Sequence, residues 1–168
     1  MISHAGRIQA GLLLLSLLSF AACATRPVPG SLCEAAQTTY FSCQTARQRT
    51  ISLCGALPSA LQYRYGRPGK IELIHPRDMA QGARQFAFAH YSRYQTDRVE
   101  ISFSHGDADY TLFDYAEDGR RRAGVQVATT AGKTSEIRCA GPIHGTLATM
   151  AKSLRCDADS ALNGGQCP

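Results

Sequence analysis

The sequence predicts a mainly β, single-domain protein: an antiparallel β-sandwich or barrel of eight or nine strands with one C-terminal helix, stapled by disulfides. Three observations carry that prediction. Apolar and polar residues alternate through most of the chain, which is the period of a half-buried strand. Six cysteines lie downstream of an export-type leader, an even set without a C-x-x-C pair. At 168 residues, 44% hydrophobic and 18% charged, the composition is that of one ordinary globular domain.

The N-terminus reads as a leader. Arg7 supplies a short positive region, Leu12 to Ala22 an apolar run interrupted only by Ser16 and Ser19, and small residues follow at Ala21, Ala22, Cys23 and Ala24. The run falls well short of the roughly 20 residues that span a bilayer, so residues 1–22 are expected to be a signal peptide. Phe20-Ala21-Ala22-Cys23 resembles a bacterial lipobox, which makes Cys23 the expected lipidation site; Ala22-Cys23-Ala24 offers a competing A-x-A cut that would release a soluble protein from Thr25. Residues 23–32, with Pro27, Pro29 and Gly30, suit a short tether, and 33–168 form the β-rich domain. The expected address is the periplasmic side of the envelope, through an outer-membrane lipid anchor or as a soluble periplasmic protein.

Cys33, Cys43, Cys54, Cys139, Cys156 and Cys167 form the expected disulfide set. Cys43 and Cys54 stand on the two arms of one predicted hairpin, directly opposed or one step off depending on whether the turn centres on Arg47-Gln48 or Gln48-Arg49, and so are expected to pair. Cys139 ends a strand and Cys156 follows the predicted helix, so a second bridge would clamp helix to sheet. Cys33 and Cys167 would then tie the ends of the domain together. Paired metal-ligand spacing is missing, so no metal and no cofactor are expected.

In chain order, Tyr40 to Pro76 predicts two consecutive hairpins. Leu61, Tyr63 and Tyr65 alternate with Gln62 and Arg64; Ile71 and Leu73 flank Glu72 after the turn Gly66-Arg67-Pro68-Gly69. Phe86 and Phe88 begin the next strand, and Val99, Ile101 and Phe103 oppose Glu100, Ser102 and Ser104 as a strand with one wet face. A turn over His105–Ala108 leads into Asp109–Tyr115, and a polar turn at Glu117–Arg122 precedes Val125 and Val127. Ile143, Leu147, Met150 and Leu154 carry helical spacing, which predicts a helix over 143–154; the tail from Asp157 has no period.

CQTARQRTISLCG from Cys43 to Gly55, followed by LQYRYGRPGKIEL from Leu61 to Leu73, resembles a group of small exported bacterial envelope proteins and lipoproteins of unknown function, and in outline the chain is similar to periplasmic lysozyme inhibitors. The second likeness implies a loop presenting Ser, Gly and Tyr to a lysozyme cleft; here the matching residues are Ser104, Gly106 and Tyr110, at wider spacing than the Ser-Gly-x-x-Tyr form. Asp107 and Asp109 can attract a basic partner, although without Arg7 the 18 basic residues become 17 against 13 acidic ones, a balance that repels a cationic enzyme overall.

Catalysis is not expected. His75, His90, His105 and His144 are scattered without ligand spacing, and no Ser sits in a G-x-S-x-G elbow. Asp107 with Asp109, and Glu117 with Asp118, read as turn formers. Arg120, Arg121 and Arg122 form a basic patch that suits anionic lipid headgroups, and nucleic acid is not an expected partner of an exported chain. The function expected is therefore a non-catalytic envelope binding protein, its sharpest form binding to lysozyme or another envelope protein; the alternatives are a structural envelope lipoprotein and a small periplasmic hydrolase.

Overall fold

The computed structural model describes Met1, residues 28–164, Gln166 and Cys167. The expected signal peptide beyond Met1 and the expected lipidation site Cys23 lie outside the described residues, as does the start of the tether. Ten strands form one curled sheet, a half-barrel rather than two stacked sheets. They are β1 (Thr38–Thr45), β2 (Thr50–Ala56), β3 (Ala60–Arg67), β4 (Lys70–His75), β5 (Ala87–Arg93), β6 (Thr96–His105), β7 (Ala108–Glu117), β8 (Arg120–Thr129), β9 (Thr134–Gly145) and β10 (Arg155–Cys156). Their order across the sheet is β10-β5-β6-β7-β8-β9-β1-β2-β3-β4.

Nine of these strands pair antiparallel with their neighbours, and β10 alone runs parallel, to β5. The two hairpins expected between Tyr40 and Pro76 form as β1 to β4. Beyond eight or nine strands, the sheet gains β10, whose two residues are too few to carry a period. Period-2 alternation places Phe41, Ile51, Leu53, Leu61, Tyr63, Ile101, Phe103, Leu112 and Val125 on the inner face, all buried.

The predicted helix over 143–154 is not formed. β9 continues through Ile143, which pairs with Cys43 of β1, to Gly145. Gly145 takes φ +73°, and a Cβ there would stand 2.1 Å from the Tyr40 carbonyl oxygen. Thr146 stays extended and caps a single 3-10 turn, Leu147–Met150. The apolar residues read as a helical stripe do reach the core, with Leu147 and Met150 fully buried and Leu154 nearly so. They arrive there from a strand end, a turn and a loop, which share no common period.

All three expected disulfide pairings are corrected. The bridges are Cys33–Cys54, Cys43–Cys139 and Cys156–Cys167, with Cα separations of 5.3, 5.6 and 5.8 Å. The reason lies in register. Cys43 pairs with Ile51, and past a bulge Cys54 pairs with Thr39, so the hairpin turns nearer Arg47 than Gln48–Arg49. That shift sends the two sulfurs to opposite faces. Cys43 joins the inner core and meets Cys139 of β9, whereas Cys54 faces outward with Ser52.

On that outer face the segment before β1 is laid down as a lid. Leu32 N donates to Ser52 Oγ at 3.0 Å, Arg64 Nη1 donates to Leu32 O at 2.7 Å, and Arg64 Nε donates to Gln62 Oε1 at 2.7 Å. The buried guanidinium is thus satisfied by neutral acceptors and by Glu34 at 3.1 Å.

Candidate functional site

The wet face of β6, legible in the alternation Glu100, Ser102, Ser104, forms one wall of a cleft of about 720 Å³. Register adds its neighbours on β7: Ser102 stands opposite Thr111 and Ser104 opposite Asp109. The other wall is the chain leaving β10, with Arg155, Asp157, Asp159 and Ser160.

Hydrogen bonds fix that second wall. Asp157 N donates to Phe88 O at 2.8 Å, and Asn163 Nδ2 donates to Asp157 O at 2.8 Å, while His90 N donates to Asn163 Oδ1 at 3.2 Å. Ser102 Oγ donates to the Asp157 carboxylate, tying wall to wall. Ser160 caps the short 3-10 turn Ala161–Asn163 by accepting from Leu162 N, and its hydroxyl lies 3.4 Å from Glu100. The Cys156–Cys167 bridge closes the segment behind them.

Charge in the cleft is unbalanced. Glu100, Asp109, Asp157 and Asp159 make no ion pair among the described residues, and Arg155 is the one guanidinium lining it. Three of them accept from hydroxyls: Asp157 from Ser102 as above, Asp109 from Ser104 Oγ at 2.6 Å, and Glu100 from the Tyr115 hydroxyl. Burial first, then that carboxylate, pushes the Tyr115 phenol well above its usual range, so it stays a donor. Both serines donate to carboxylates rather than to an imidazole.

His75 lies under the rim. Its ring stacks on Phe103, with centroids 4.5 Å apart, and its Nδ1 is 3.3 Å from Nδ1 of His105. Burial, and secondarily the neighbouring imidazole, hold its pKa below the usual value of 6.5, and its Nε2 has no partner among the described residues. His90 pairs with Asp97 at 2.7 Å on the exposed edge, and His144 lies within β9, so the four histidines share no site. Among the described residues no group of three or more His, Cys, Asp or Glu is placed to hold a metal ion.

The loop residues expected to meet a lysozyme are divided by strand alternation. Ser104 and Gly106 are exposed, Gly106 at the hairpin tip with φ +63° and open space around it. Tyr110 points to the inner face, stacked on Phe103 with centroids 4.9 Å apart and planes at 5°. The basic patch divides likewise. Arg121 reaches buried Asp114 with Nε at 2.7 Å and Nη2 at 2.8 Å, and also bonds Gly145 O, whereas Arg120 and Arg122 face out. Arg122 and Arg98 flank the Tyr115 ring at 4.7 and 5.4 Å and share Glu117.

Asp157, Asp159 and Ser160 were not found by sequence reasoning. Their signal is slight: an aperiodic D-A-D-S run ahead of Cys167, whose membership of the disulfide set is the one hint in the sequence that the tail is pinned. Comparison with known family models, curated proteins and solved structures finds no match.

Proposed function

We propose that this domain is a non-catalytic binding protein of the cell envelope, and that it docks basic side chains of a protein partner in the acidic cleft, lysozyme being the sharpest candidate. One observation carries the reading: four carboxylates line a cleft of about 720 Å³ with no ion pairs of their own among the described residues, three of them, Glu100, Asp109 and Asp157, accepting from hydroxyls. Carboxylates preset by hydroxyl donors favour a guanidinium or ammonium that arrives with the partner. The local field opposes the chain's overall positive charge, so binding would rest on short-range fit more than on steering. Ser104 and Gly106 remain on the rim as contact residues; Tyr110 supports the loop from beneath. Three disulfides agree with an oxidising compartment, and the leader-like N-terminus agrees with export.

The test is lysis of cell-wall suspensions by c-, g- and i-type lysozymes in the presence of purified domain. Inhibition at stoichiometric protein, weakened by Asp109→Asn or Asp159→Asn and by added salt, is the expected result. Undiminished lysis by all three enzymes retires lysozyme as the partner; inhibition that ignores both substitutions removes the cleft as its site.

A further inference from the structure

The two ends of the half-barrel are closed differently. At one, the turn after β9 drives Leu147 and Met150 into full burial beneath the sheet. At the other, where β1 turns into β2, the inner-face residues Tyr65, Ile137 and Cys139 pack against the core yet stay half-buried. A cavity of about 650 Å³ opens there, within the range of small-molecule pockets. Its walls are these side chains with Thr45, and the Cys43–Cys139 disulfide runs beside them.

The rim is basic. Arg47 and Arg138 line the mouth with Glu136, two cations against one anion, all three are exposed, and Arg47 makes no ion pair among the described residues. Arg138 is paired with Glu136, so Arg47 is the cation left free at the rim among the described residues. Burial raises the pKa of the Tyr65 phenol; Arg49 pulls against that rise, Glu72 adds to it, and Arg47 pulls against it. A peptide strand cannot add here, because β1 is hydrogen-bonded to β2 on one side and β9 on the other.

We propose that this mouth binds a single-chain amphiphile with an anionic head, its hydrocarbon lying along Tyr65, Ile137 and the Cys43–Cys139 disulfide and its head meeting Arg47. Apolar walls reward the chain, and the open, basic rim leaves the head hydrated beside that guanidinium. The site is on the inner face and independent of the acidic cleft on the outer one.

The experiment is calorimetric titration of the folded domain with dodecanoate below its critical micelle concentration, alongside dodecyltrimethylammonium, which keeps the chain and reverses the head. Saturable binding of dodecanoate at one per chain is expected, with the cationic compound at least about tenfold weaker. Arg47→Glu should weaken dodecanoate about tenfold and erase that preference, and Ile137→Glu should abolish binding. On the unsubstituted protein, amide resonances of Thr45–Arg47 and Ile137–Ala140 should shift with dodecanoate, a readout that needs no variant to fold. Equal affinity for both heads, shifts confined to other residues, or binding to anionic vesicles without binding to the monomer would each overturn the proposal.

Discussion

Replacing Cys43 and Cys139 together by alanine tests both the register of β1 and β2 and the role of the longest bridge. Their bond closes a loop of 96 residues, for which restriction of the unfolded chain is worth roughly 4.7 kcal/mol. The same relation gives roughly 3.3 kcal/mol for Cys33–Cys54, 21 residues apart, and roughly 2.8 kcal/mol for Cys156–Cys167, 11 residues apart. Lost packing adds to the first figure, because Cys43 is 2% exposed within the core. Equilibrium urea unfolding of the three double variants under non-reducing conditions should therefore rank Cys43/Cys139 as the most damaging, by about 2 kcal/mol over Cys156/Cys167. Against a typical total of about 5–15 kcal/mol, the first variant should be marginal at physiological temperature. A Cys156/Cys167 variant as unstable as the Cys43/Cys139 one would refute the reasoning. So would peptide mapping of the native protein that linked Cys43 to any residue but Cys139.

Three further outcomes follow from the same structure. Asp114→Asn should destabilise by about 3 kcal/mol in urea unfolding, since the carboxylate is 5% exposed and accepts from Arg121, Thr146 and Leu147 N, holding the turn that plugs one end of the curl. Because the native pKa of His75 lies below 6.5, the unfolded chain takes up the proton first: stability should be full above that pH and fall on acidification below it, by at most about 1.4 kcal/mol per pH unit, and His75→Phe should flatten that limb. Gly124→Ala should lower the thermal midpoint, at a cost of about 2 kcal/mol, because the new Cβ would lie 2.3 Å from Ile137 O and 2.9 Å from Phe113 Cζ; an unchanged midpoint would mean that β8 and β9 part more readily than their packing indicates.

Sequence alone determined most of the strands, though not the end of β9 or β10, and which of their residues would be wet. Side chains alternate with period 2 whatever the strand's partner, so Glu100, Ser102 and Ser104 were identifiable as one wet face before any neighbour was known, and the structure makes that face a cleft wall. The cysteines were likewise legible as a set, from parity and context alone. Their partners were not: in an antiparallel pair a one-residue change of register exchanges faces, and a bulge between Thr39 and Phe41 with a turn nearer Arg47 was enough to send Cys43 inward and Cys54 outward. Helical spacing misled over 143–154 because residues in a strand end and a following turn can all reach one core without sharing a helix, and Gly145 against the Tyr40 carbonyl decides for the strand.

What only the tertiary structure decided is what lies far apart in sequence. Strand order puts β9 beside β1, and with it Cys139 against Cys43 and the basic rim of Arg138 and Arg47 around one mouth. The parallel pairing of β10 with β5 lays Asp157 and Asp159 against β6, completing an acidic cleft from a tail without periodicity. Alternation also divided two contiguous motifs, Arg120–Arg122 and Ser104–Tyr110, between opposite faces of the sheet. Local pattern is written by the chain's own geometry; these juxtapositions depend on which strand lies next to which, and that is set by the closing of the whole sheet around one core.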